Sequence, residues 1–174
     1  FIGLGFITLA GSVWAILLLP QSMLRMIVKG LFSSRYSMHV VGLDNIPSEG
    51  GVLFLGNHIS FLDWAFLQMA CPRPIRFVMH RSYYEKWYLK WILDRLGIIP
   101  ISSGGASSAL GEVKKALESG HAVALFPEGH ITRNGHLSSF RSGFEKSLSE
   151  TGAVVVPFYL QGLWGSIYSF ASGG

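Results

Sequence analysis

Charge is what this chain has least of. Only 14% of its 174 residues are Asp, Glu, Lys or Arg, while 49% are apolar, a balance low for a soluble domain and suggestive of contact with lipid. Cysteine is nearly absent too: Cys71 stands alone, which excludes an internal disulfide and a cysteine-based zinc site. No H-E-x-x-H and no G-x-S-x-G occurs, so neither a zincin helix nor a nucleophile elbow is available. Internal repeats and low-complexity tracts are missing as well. The net charge of +4 is modest and its basic residues are scattered. That pattern excludes a nucleic-acid stripe and suits an anionic headgroup or a membrane surface.

The scarcity of charge is uneven. Residues 1–24 carry no ionisable side chain, and 1–19, "FIGLGFITLAGSVWAILLL", are almost unbroken in apolarity. That length suffices to cross a bilayer as a helix; a buried core helix is the alternative. Arg25, Lys29 and Arg35 follow the run and nothing basic precedes it, so the remainder is expected on the cytoplasmic side of a membrane. A first residue of Phe suggests a piece of a larger membrane protein. We therefore expect a span with a basic interfacial linker over 1–35 and a folded domain over 36–174.

Within that domain short apolar runs alternate with amphipathic ones. "YSMHVVG", "VLFLG", "IRFVM", "GIIPI", "AVALF" and "AVVVPFYL" read as strands, with helices over 61–71, 82–95, 106–119 and about 139–150. This alternation predicts an α/β fold, a mostly parallel sheet flanked by helices. Sites in such sheets lie at the carboxyl ends of strands. Three polar clusters fall there: Asn57-His58, Ser102-Ser103 and Pro127-Glu128-Gly129.

"NHISFLD", residues 57–63, supports two readings. In one, Ser60 caps a helix and Asp63 reaches back to it as a capping box. In the other, Asp63 orients the imidazole of His58 and supports the charge formed when its second nitrogen takes a proton. A metal hydrolase built on His58, Asp63, His130 and His136 is a further rival. The five residues between the last two histidines are not a same-face helical spacing, however. No serine or cysteine has a base placed for it by the sequence, which leaves no covalent nucleophile.

Together, "NHISFLD" and the later "FPEG" resemble the first and third motifs, N-H-x4-D and F-P-E-G, of the glycerolipid acyltransferase superfamily. "VVVPFYLQG" at 154–162 is similar to the fourth, and "GIIPISSGG" matches the second only in part, because no Arg follows Ile101. The resemblance implies His58 as general base and Asp63 as its orienting acid. It also implies substrate contacts from Asn57, Glu128, Gly129, Ser102 and Ser103. Arg133, displaced from the commoner spacing after "FPEG", and Arg141 are the implied headgroup cations.

The implied reaction moves a fatty acyl group from acyl-CoA or acyl carrier protein to a glycerol hydroxyl, with neither metal nor cofactor. A zwitterionic lysophospholipid is the first expectation for the acceptor, because of the missing and shifted arginines. 1-Acylglycerol-3-phosphate is the alternative. The charge-free start and basic linker also resemble bacterial fusions of a lysophospholipid transporter, this acyltransferase and an acyl-carrier-protein ligase, which implies an inner-membrane location. "YYEKWYLKWILDRLG", with aromatics interleaved by Lys86, Lys90 and Arg95, fits either a membrane interface or a helix packed on the sheet.

Overall fold

The computed structural model describes residues 24–102 and 104–172, together with Gly3, Gly5, Thr8, Leu9, Gly11 and Ser12. Most of the expected span lies outside the described residues. Among the described residues, no helix is long and apolar enough to cross a membrane.

Five strands form the sheet: β1 (Val52–Gly56), β2 (Ile75–His80), β3 (Ile99–Ile101), β4 (Ala122–Leu125) and β5 (Val154–Phe158). Their order is β3-β2-β4-β1-β5, and every pair is parallel. Strands buried on both faces need no polar alternation, which is why "VLFLG" is apolar throughout. Alternate side chains still serve different layers. Val52 and Phe54 pack with Leu67 and Leu93 on one face, whereas Leu53 packs with Val113 and Leu117 on the other. The helices are thereby sorted. α2 (Asp63–Ala70) and α4 (Trp87–Arg95) cover the first face, α5 (Ala106–Glu118) the second. The short α3 (Arg81–Tyr84) links β2 to α4, and α6 (Glu145–Leu148) precedes β5.

Ahead of the sheet, α1 (Leu24–Phe32) seats Val28 against Ala65 and Met69 of α2, while Met26 and Leu31 are exposed. At the amino ends of the strands, Arg73 donates to the carbonyls of Pro47, Gly50 and Gly120 at 2.7–2.9 Å. Beside it Arg76 meets His121 Nε2 at 2.8 Å.

Three expected elements differ. "YSMHVVG" forms no strand; it lies across a cavity of about 610 Å³ from residues 156–163. β5 is an edge strand, and Pro157 removes a donor from it. The helix expected over 82–95 is two helices, because Lys86 adopts an extended conformation between them. The helix expected near 139–150 reduces to a 3-10 turn at Ser142–Phe144 and one turn of α6.

Candidate active site

β1 and β4 are hydrogen-bonded neighbours with Leu55 opposite Leu125, so the residues that follow each strand emerge side by side. This is how "GNHISFLD" and "FPEG" meet although they are far apart in sequence.

His58 leaves β1 with its Nδ1 2.7 Å from Asp63 Oδ2. The same oxygen accepts the backbone amides of Ile59 at 2.7 Å and Ser60 at 3.0 Å. Asp63 is fully buried, and its Oδ1 has no hydrogen-bond partner among the described residues. All three donors thus converge on one oxygen, which serves the imidazole and the turn together. The His58 side chain is 22% exposed and its ring lies flat on Phe126, 4.1 Å between centroids and 14° between planes. One nitrogen is thereby committed to a carboxylate and the plane is set by an aromatic face. Nε2 is the nitrogen left for a substrate. A histidine so held can take a proton at Nε2 while Asp63 supports the resulting charge.

The two readings of "NHISFLD" merge here, with one correction. α2 starts at Asp63 itself and its N-cap is Leu62, so Ser60 does not cap the helix. Ser60 Oγ accepts the amide of Leu62 at 3.1 Å and donates to the Tyr168 carbonyl at 3.1 Å, bracing the turn that precedes α2. Asp63 binds both that turn and the imidazole through a single oxygen.

Glu128 is buried, and its carboxylate is spoken for by backbone. Oε1 accepts the amide of His58 at 2.8 Å and Oε2 the amide of Ser138 at 2.9 Å. The carbonyl of His58 accepts from the amide of Thr132 at 2.8 Å. The base is therefore held on both sides by the chain that follows β4. Gly129 takes φ +74°, a turn conformation that favours glycine, and the Arg141 side chain lies over it, with Nε 3.0 Å from where a Cβ would stand. Asn57 is also structural in its contacts: it exchanges hydrogen bonds with both backbone groups of Leu160 at 2.8–2.9 Å, tying β1 to the residues after β5. Arg133 is exposed and rests 5.1 Å from the Phe170 ring centre.

Ser102 follows β3, three strands from β1, about 14 Å across the sheet. The structure does not bring it to His58, and Ser103 lies outside the described residues. Phe126, Thr132 and Ser138 were missed by the sequence reading; of these only Phe126 carried a signal, as the first letter of "FPEG". Among the described residues no cluster of His, Cys, Asp and Glu could hold a metal ion. His130 Nδ1 instead meets the Glu128 carbonyl at 3.0 Å.

The family model described as "Acyltransferase" matches residues 37–161. The chain belongs to this acyltransferase family. Among its relatives, the chloroplastic 1-acyl-sn-glycerol-3-phosphate acyltransferase LPAT1 of Arabidopsis thaliana is 29% identical over 131 residues, which cover 73% of this chain and 36% of that protein. The 1-acyl-sn-glycerol-3-phosphate acyltransferase of Borreliella burgdorferi is 28% identical over 142 residues, 79% of this chain and 57% of its own. Among solved structures, the 1-acyl-sn-glycerophosphate acyltransferase PlsC from Thermotoga maritima superposes with a TM-score of 0.74 at 23% identity, over 85% of this chain and 60% of that one. At that identity the likeness is one of fold. The acyltransferase chain described here spans roughly a third to three fifths of the length of these relatives.

Proposed function

We propose that this chain transfers a fatty acyl group from a thioester, acyl-CoA or acyl carrier protein, to a glycerol hydroxyl of a lysophospholipid-class acceptor. His58 Nε2 removes the hydroxyl proton as the oxygen attacks the thioester carbonyl. The carbon–sulfur bond then breaks, and the departing thiolate takes the proton back from the imidazolium. Asp63 holds the tautomer and supports the charged ring. A positioned base of this kind contributes typically 10²–10⁴-fold, and co-binding of the two substrates much of the rest. The single observation that carries the reading is the 2.7 Å contact between His58 Nδ1 and a buried Asp63 in a chain of this family.

For the acceptor we favour 1-acylglycerol-3-phosphate over the zwitterionic lysophospholipid expected first. The relatives in Arabidopsis thaliana and Borreliella burgdorferi, both named as 1-acyl-sn-glycerol-3-phosphate acyltransferases, support it. So does the presence of two guanidinium groups, Arg133 and Arg141, on the chain after "FPEG", which suit a phosphate monoester. The missing Arg after "GIIPI" keeps the zwitterionic acceptor as the second reading. The proposal includes a membrane location, with residues 36–174 on the cytoplasmic face. A transfer assay crossing labelled acyl-CoA and acyl carrier protein with 1-acylglycerol-3-phosphate and lysophosphatidylethanolamine tests it. Transfer to the first acceptor, abolished by His58→Ala, is expected. Transfer to neither acceptor from either donor would end the proposal.

A further inference from the structure

The aromatic-rich stretch 83–91 is not consumed by packing on the sheet. In α4 the inward residues are Leu93, buried in the core, and Leu89, packed against the same cluster. At 100° per residue Trp87 and Trp91 fall on the opposite side of the helix, one turn apart. The exposures agree: Trp87 is 85% exposed, Tyr83 52%, Tyr88 50% and Trp91 38%. Large aromatics gathered on one outward surface are unusual for a face bathed only in water. Cations interleave with them. Lys86 Nζ sits 5.4 Å from the ring centre of Tyr83 and Lys90 Nζ 4.7 Å from that of Tyr84. Glu85 in this stretch and Asp94 just past it are held by cations one turn away, Glu85 by Arg81 at 3.2 Å and Asp94 by Lys90 at 3.3 Å.

We infer that this surface of α3 and α4 docks on an anionic phospholipid bilayer. Tyr and Trp combine an apolar body with a polar tip and suit the headgroup level, and lysine tips reach lipid phosphates from there. An acidic protein partner fits less well, because it would engage chiefly the cations, and what this surface exposes most is aromatic: Trp87, Tyr83 and Tyr88. The placement has a use. α3 begins directly after β2, at the carboxyl edge of the sheet, and α4 must run back toward the amino edge to start β3. Tyr83, Trp87 and Tyr88 therefore lie at the same edge as His58, so docking holds the site beside the layer in which a lysolipid resides. The inference does not rest on acyl transfer, because lipid contact is read without it.

The test uses the full chain, so that residues 1–23 contribute equally in every variant. An environment-sensitive dye is attached at Tyr88→Cys, and as control at Ser108→Cys on α5, across the sheet; Cys71 is fully buried and stays unlabelled. With phosphatidylglycerol-rich vesicles the dye at 88 shifts to the blue and is quenched by doxyl lipid, while the dye at 108 stays in water. In the labelled chain, Lys86→Gln lowers the bound-to-free ratio roughly fivefold at low salt, and Trp87→Ser at least about tenfold. A dye at 88 that stays in water, or equal shifts at 88 and 108, overturns the inference. A shift at 88 on adding acyl carrier protein, without any on adding vesicles, overturns it in favour of the acidic protein.

Discussion

Replacing Asp63 by Asn separates the two tasks that its one oxygen performs. The amide oxygen can occupy the place of Oδ2 and keep the bonds from His58 Nδ1, Ile59 N and Ser60 N. The reverse orientation would aim an NH₂ at two backbone amides, so it is disfavoured. The NH₂ group then lands where Oδ1 was, already buried and unpartnered, so one unpaired polar group replaces another and the cost stays below the ~1–3 kcal/mol of a newly orphaned group. For a chain of this size that bounds the fall in Tm at roughly 10 °C. Catalysis loses more. Removing the negative charge about 4 Å from the imidazolium forfeits about 4 kcal/mol at an effective dielectric of about 20, which is on the order of 10²–10³-fold in kcat. Initial rates with labelled donor at saturation, alongside a thermal melt, measure both numbers. If Asp63→Asn melts several degrees lower yet keeps kcat within about threefold of wild type, the carboxylate is a structural brace and the dyad reasoning fails.

Three further outcomes are expected. Arg133→Ala raises the acceptor KM more than the donor KM in steady-state titrations, because a headgroup clamp contributes binding; equal effects on both would remove Arg133 from the site. Two-substrate kinetics give intersecting lines and Ser60→Ala retains most of kcat, since no covalent acyl-enzyme forms; an acylated peptide recovered after mixing with donor alone contradicts this. Burial, with the Arg76 and Arg73 guanidinium groups, holds the His121 imidazole below its ordinary range. The unfolded chain therefore binds the extra proton as pH falls below about 6.5, and the stability contributed by neutral His121 is lost progressively through the acid side of that value. Urea midpoints at several acidic pH values should fall less steeply for His121→Gln than for wild type, and identical slopes would refute the linkage.

The parts of the fold legible in sequence are those fixed by local pattern. "VLFLG" and "AVALF" had to be strands covered on both sides, and the carboxyl-end rule then singled out His58 and Glu128 correctly as neighbours. It erred with Ser102, because strand order is a global property: nothing in "GIIPISSGG" states that β3 lies at the far edge. The run 36–42 has two of the β-branched residues of a strand, Val40 and Val41, but pairing requires a free edge with donors, and β5 offers Pro157. The break at Lys86 carries neither Gly nor Pro to announce it. The place of Asn57 beside His58 points to a site residue, whereas its partner is Leu160, 103 residues on. Likewise the mates of Glu128 are backbone amides, which no side-chain motif records.

The double tether between His58 and the chain after β4 bears on engineering. Glu128 grips the amide of His58 and, through its other oxygen, that of Ser138, while Thr132 grips the carbonyl of His58. The loop that carries Arg133 and leads to Arg141 is thus a lever with the imidazole at its short end. Grafting a foreign loop between 129 and 141 to change acceptor choice would shift the base as well. Residues 56–63 and 126–141 therefore have to be exchanged together, with the partners of Asn57 and Ser60 at Leu160 and Tyr168 kept, and a chimera that exchanges one segment without the other inherits a misaligned dyad.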